Sequence, residues 1–173
     1  MSPATEQFRF IDALHRHKGR VYSIAFRILG ESGAAEEVAQ DVFLELYRSL
    51  PRLESEQHVT AWLRRVTCHR ATDALRRRAA RGGVFQDEWN DNEQPASTPP
   101  APLPLMNRIE RLLFTLTPQQ RTVILLRYQE DLEPEDIAIE LQMPIATVRS
   151  HLQRGLQLLR SKAERTLKEY IRG

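Results

Sequence analysis

Apolar side chains recur along this chain at helical rather than strand spacing. In the first half, Phe8, Ile11 and Leu14, then Val21, Ala25, Ile28 and Leu29, return every three or four positions. Gly30 stands where a C-cap belongs, so a helix is predicted near 7–29. A second stripe, Ala35, Val38, Val42, Leu46 and Leu50, places Glu36 and Glu37 in the first turn, where the helix dipole favours acids, and Pro51 at the stop. A polar loop, RLESEQH (52–58), follows. A third helix is predicted from about 59 to 78, with Trp62, Leu63, Val66 and Leu75 turned inward.

In the second half, Thr117 with Gln120 forms a capping-box pattern and Pro118 takes the first helical position, so a helix runs from there to about Tyr128. Another starts at Pro134 and covers EDIAIEL (135–141). After Gln142, Met143 and Pro144, a last long helix carries Ile145, Val148, Leu152, Leu156, Leu159, Ala163 and Leu167 on one side. Arg149, Ser150, Gln153, Arg154 and Gln157 occupy the other. Helix, three-residue turn, helix with an exposed Arg/Ser/Gln face is the helix-turn-helix plan, whose second helix enters the DNA major groove. On spacing alone, any helical hairpin shares it.

Between the halves, residues 82–107 carry Pro95, Pro99, Pro100, Pro102 and Pro104 and no helical period, so they read as a partly extended linker. The expected fold is all-α: two small helical domains, 1–81 and 108–173, joined by that Pro-rich acidic linker, the second domain a helix-turn-helix. The 173 residues, 41% hydrophobic and 28% charged, suit a folded soluble protein. No run approaches the roughly 18–20 apolar residues of a membrane span, and the first residues lack a signal-peptide core, so no membrane insertion and a cytoplasmic location are expected.

The net charge of +2 says little, but its distribution says more. Residues 1–81 hold 14 Lys and Arg against 10 Asp and Glu; 82–107 hold no base and four acids; 108–173 hold 11 bases and nine acids. Between Trp62 and Arg81, Arg64, Arg65, Arg70, Arg76, Arg77, Arg78 and Arg81 stand against one acid, Asp73, where a merely solvated face would mix signs, so contact with a polyanion is expected. The six acids between Glu130 and Glu140 would repel DNA and are expected to face away from it.

Catalysis has little support. The five histidines show no HExxH or Cys/His ligand spacing, and no Gly-rich phosphate loop occurs, so neither a metal nor another cofactor is expected. His15 and His17 read as an exposed pair. Cys68, the one cysteine, cannot form an internal disulfide; beside His69 it points about 100° away, which argues against a nucleophile pair but leaves a redox sensor on a DNA-facing helix open.

Two groups of segments together resemble the extracytoplasmic-function (ECF) bacterial sigma factors, the promoter-recognition subunits of RNA polymerase. In the first half they are AEEVAQDVFLELYR (35–48), WLRRV (62–66) and ATDALRRR (71–78); in the second, LTPQQR (116–121), EDIAIEL (135–141) and PIATVRSHL (144–152). The resemblance spans nearly the whole chain. It implies that the first domain docks on core RNA polymerase and opens promoter DNA at the minus-ten element, and that the second reads the minus-thirty-five element. It places polymerase docking on Glu37, Gln40 and Asp41, and capture of an unpaired base on the loop with Ser55, Glu56, Gln57 and His58. Arg65, His69, Arg70, Arg76 and Arg77 would hold the duplex edge and phosphates. Arg149, Ser150, Gln153 and Arg154 become base-reading candidates, Arg being able to donate two hydrogen bonds to guanine. Thr147, Arg121 and Arg127 become phosphate contacts, which fix register. Control by an anti-sigma factor is implied as well.

Three positions depart from the family pattern. Gln142 stands where many relatives have Gly at a turn favouring positive φ, at a cost of about 1 kcal/mol. Glu133 replaces a common Ser cap, and His69 replaces a frequent Asn, which shifts the expected minus-ten preference. The alternative reading, a stand-alone helix-turn-helix regulator, explains the second half equally well but not the DVF helix, the basic third helix and WLRR together in one domain.

Overall fold

A computed structural model of the chain describes residues 3–81 and 104–172. Two compact units divide between Gly83 and Val84. The expected linker falls largely on 82–103, outside the described residues. Its last four positions are not linker: helix α4 already begins at Pro104, where proline's fixed φ and missing N–H suit a first turn.

The first unit holds α1 (Pro3–Leu29), α2 (Ser32–Ser49), a 3-10 turn (Leu50–Arg52) and α3 (Glu56–Ala80), each helix packed on the other two. Gly30 ends α1 with φ 76°, its N–H donating to the Phe26 carbonyl at 2.7 Å. The buried stripe of α1 keeps the expected Val21, Ala25 and Ile28 but differs in its first half. It runs through Ala13, His17, Val21, Ile24, Ala25 and Ile28, whereas Phe8 and Ile11 are exposed. The expected exposed histidine pair is thereby split, His15 outside and His17 inside. Ala35, Val38, Val42, Phe43 and Leu46 of α2 close on this stripe. Because α2 begins at Ser32, Glu36 and Glu37 sit in its second turn, one turn beyond their expected place.

From α3 the core takes Val59, Leu63, Thr67, Cys68, Ala71 and Leu75. Trp62 and Val66, expected inward, are half-buried, because the inward stripe passes beside them through Leu63 and Thr67. The Thr67 hydroxyl donates to the Leu63 carbonyl at 2.6 Å and so enters the core with its polarity satisfied. Cys68 is buried in the same core. Full burial of a side chain such as Ile28, Leu46 or Leu63 stabilises by about 1.5–3 kcal/mol.

The second unit holds α4 (Pro104–Phe114), α5 (Pro118–Tyr128), α6 (Pro134–Leu141) and α7 (Ile145–Arg172), with α7 packed against the other three. Thr117 closes the expected capping box: its Oγ1 accepts the Gln120 N–H at 3.3 Å, and Gln120 Oε1 accepts the Thr117 N–H at 3.2 Å. Glu133 caps α6 without a side-chain hydrogen bond. Gln142 takes the left-handed conformation, φ 52° and ψ 46°, and the Met143 N–H returns to the Ala138 carbonyl at 3.1 Å. The turn therefore keeps its geometry at a residue with a Cβ.

The seam of α7 differs from its large apolar residues. Val148, Leu152, Gly155 and Leu159 turn towards the unit, while Leu156 and Leu158 are exposed. Gly155 packs tightly on α5; a Cβ there would lie 2.6 Å from Ile124 Cδ1. No helix among the described residues is long and apolar enough to cross a membrane.

Candidate nucleic-acid interfaces

On α3, Arg65, His69 and Arg76 fall on one stripe by 3.6-residue spacing, and Arg70 and Arg77 on the neighbouring one. Arg65, Arg76, Arg77, Arg78 and Arg81 are exposed; Arg64, His69 and Arg70 are half-buried. Part of this positive charge is already matched. Arg70 donates from Nη2 to Glu45 Oε2 at 2.5 Å and from Nε to the same oxygen at 3.2 Å, binding α3 to α2. The Glu45 hydrogen bond holds the Arg70 guanidinium above its ordinary range, with Asp41 and Asp73 adding to it. Arg76 reaches Asp73 at 3.3 Å, and Arg78 reaches Glu31 at 2.8 Å.

The α2–α3 connection is shorter than the expected loop. Only 53–55 are non-helical; Glu56, Gln57 and His58 form the first turn of α3. The reason is local: Ser55 Oγ accepts the His58 N–H at 3.2 Å, as an N-cap does, and Glu56 adds an acid at the positive end of the helix. The Glu56 carboxylate accepts the His17 Nε2–H at 2.8 Å, with Arg16 Nη1 at 3.8 Å. The Leu53 carbonyl accepts Arg9 Nη2 at 2.8 Å. Gln57 and His58 are exposed.

On α2, Glu37, Gln40 and Asp41 are exposed and share one face. Leu44, one turn on, continues that face with 62% of its surface exposed. The apolar stripe read from the sequence leaves Leu44 out, and its offset from Val38, Val42 and Leu46 is the signal that finds it. Tyr47 is exposed as well, its ring edge-on to Phe10 at 5.3 Å.

In the second unit Arg149, Gln153 and Arg154 are exposed and Thr147 and Ser150 half-buried, together forming one side of the first turns of α7. Arg149 Nη2 donates to Glu135 Oε1 at 2.8 Å, an ion pair between the two helices of the motif. The acidic segment is thus not all turned to open solvent: Glu135 meets Arg149 of α7, and Glu140 is buried. Arg121 is a correction too. It is buried at 4% exposure, its guanidinium 4.4 Å from the Phe114 ring centre, and so unavailable to a phosphate. Arg127 is half-buried, donating to the Leu132 carbonyl at 3.4 Å and lying 3.4 Å from Glu133. Among the described residues, no group of three or more His, Cys, Asp or Glu could hold a metal ion.

An all-helical chain with a basic three-helix unit followed by a helix-turn-helix unit defines a two-part DNA-binding protein. Comparison with known proteins gives the family. Residues 13–81 match the family Sigma-70 region 2, and residues 106–159 match Sigma-70, region 4. The ECF RNA polymerase sigma factor SigW of Bacillus subtilis is 26% identical over 91% of this chain and 90% of its own length. SigK of Mycobacterium tuberculosis, likewise an ECF RNA polymerase sigma factor, is 29% identical over 90% of this chain and 86% of its own. Two solved structures share the fold: the sigma factor RpoE of Bartonella quintana, crystallised with the anti-sigma factor NepR (TM-score 0.69, 22% identity, 90% of this chain and 97% of that one), and CnrH with the cytosolic domain of CnrY (TM-score 0.61, 22% identity, 91% and 89%). The chain belongs to the ECF group of the sigma-70 family.

Proposed function

We propose that this sigma factor binds core RNA polymerase through the exposed face of α2, recognises promoters at two elements and opens the strands at one of them. The reading divides the chain into a first domain over 1–81 and a second that begins with α4 at Pro104, the linker ending before it. The observation that supports it best is the pairing, in region order, of a basic α3 surface with a helix-turn-helix whose reading helix exposes Arg149, Gln153 and Arg154.

The steps follow from these surfaces. Glu37, Gln40, Asp41 and Leu44 dock on polymerase. Exposed arginines of α3 hold phosphates at the edge of the opening duplex, while the start of α3 holds an extruded base, against an unstacking cost of a few kcal/mol. Arg149 reads a guanine edge upstream once it exchanges Glu135 for the base, and Thr147 near the α7 N-terminus contacts phosphate. The chain performs no chemistry itself, catalysis belonging to the polymerase, and acts in the cytoplasm. An anti-sigma factor restrains it, a reading supported by the complex of the similarly folded sigma factor RpoE with the anti-sigma factor NepR.

Transcription by purified bacterial core RNA polymerase from fragmented genomic DNA, with and without the chain, tests this reading. Discrete new start sites sharing two upstream motifs are expected. No new starts, together with sequence-specific binding by the chain alone, would overturn it in favour of a stand-alone regulator.

A further inference from the structure

One stripe of α1 reaches both ends of the α2–α3 connection. Arg9, Ala13 and His17 follow at intervals of one turn. Ala13 is buried, and its small side chain lets the helix approach closely. From one end Arg9 Nη2 donates to the Leu53 carbonyl, and from the other His17 Nε2–H donates to Glu56 Oε1, both at 2.8 Å. His17 is only 8% exposed, so its polar nitrogen requires a protein partner, and Glu56 is the one it meets. Arg16, whose nearer partner is Asp12 at 2.8 Å, lies 3.8 Å from the same carboxylate.

These bonds decide which groups of the connection remain for DNA. The Leu53 carbonyl is engaged by Arg9, the Glu56 carboxylate by α1, and the Ser55 hydroxyl by the His58 N–H. The exposed side chains of Gln57 and His58 stand on the turn these contacts fix.

We propose that Arg9 and His17 are positioning residues for minus-ten specificity: they clamp the α2–α3 connection so that Gln57 and His58 discriminate the captured base, with Glu56 an anchor rather than a reader. This rests on the minus-ten role given above to the start of α3. A pocket ordered in advance captures its base without first paying to order itself, and discrimination falls when the groups facing the base can shift to suit another one.

The test uses holoenzyme assembled from the full chain and core polymerase, on a promoter pool randomised in the minus-ten element, with start-site sequencing. Gln57→Ala and His58→Ala are expected to change the preferred base. Arg9→Ala and His17→Leu are expected to flatten discrimination at the same positions about three- to tenfold, leaving minus-thirty-five preference and core affinity unchanged. His17→Gln keeps an N–H donor for Glu56 and is expected to restore most of it. If Gln57→Ala and His58→Ala leave the minus-ten preference unaltered, the role of this turn falls and the inference with it. If they alter it while Arg9→Ala and His17→Leu discriminate like the wild type, the turn keeps its role and the inference alone is overturned. Should His17→Leu not fold, the half-buried Arg9 decides by itself.

Discussion

Arg149 of α7 and Glu135 of α6 face each other across the helix-turn-helix at 2.8 Å, both side chains more than half exposed. The pair orients a guanidinium that would otherwise sample many rotamers. At this exposure it contributes no more than about 1 kcal/mol, little enough for a guanine edge to displace it.

Arg149→Ala in the holoenzyme is therefore expected to cost about 1–3 kcal/mol and to relax preference at one upstream position. If this face meets DNA as proposed, Glu135→Gln removes a negative charge near it and loosens the hold on Arg149. It is expected to raise affinity for all sequences while lowering discrimination at that same position. Competition binding against minus-thirty-five variants at several salt concentrations separates the two effects. A uniform loss in Arg149→Ala would exclude base reading.

Arg121 and Arg127 diverge in the same assay. Arg121 is buried against Phe114, so Arg121→Ala is expected to destabilise the second unit by about 1–3 kcal/mol. Arg127 keeps part of its surface, and Arg127→Ala is expected to weaken DNA binding across sequences and to reduce the salt slope by about one. Denaturant unfolding and salt titration of both variants check the division; a folded Arg121→Ala with a reduced slope would return Arg121 to the phosphate contacts.

Much of the fold is legible where one residue has one local job. Gly30 and the Thr117–Gln120 box can each be read from the sequence, because caps depend on neighbours within a few positions, whereas the left-handed Gln142 is expected only from the family resemblance. What escapes depends on what lies across the core. The α1 stripe is built on Ala13 and His17, neither a large apolar residue, so hydrophobic spacing favours the exposed Phe8 and Ile11 instead. Helix α4 is hidden by the prolines that precede it. Arg121 reads as a surface charge because its sign is visible in the sequence and the Phe114 ring that covers it is not. For the proposed DNA and polymerase surfaces, residue types single out helices, but the ion pairs that engage Arg70 and Arg149 join residues 25 and 14 positions apart.

Gln142 carries a cost that a single substitution relieves. With φ at 52° its Cβ is crowded against its own backbone, and Gln142→Gly is expected to stabilise the second unit by about 0.5–1 kcal/mol. The measurement is a rise in unfolding midpoint with DNA preference unchanged. A fall would mean that the Gln142 side chain makes a compensating contact.

The exposed face of α2 supplies the last prediction. Asp41 and Leu44 are both solvent-exposed, and neither belongs to the buried stripe of Val38, Val42 and Leu46, so substituting them leaves the fold intact. If this face docks on polymerase, Asp41→Ala and Leu44→Ala each weaken core binding, the leucine by about 1–2 kcal/mol of lost apolar burial. Leu46→Ala, one turn from Val42 in the core, instead costs about 2–5 kcal/mol of stability. Core-binding titrations and thermal melts of the three variants sort the outcomes. Unchanged core affinity in both surface variants would move the docking face elsewhere, and loss of folding in Asp41→Ala would make that carboxylate structural, acting through its field on Arg70.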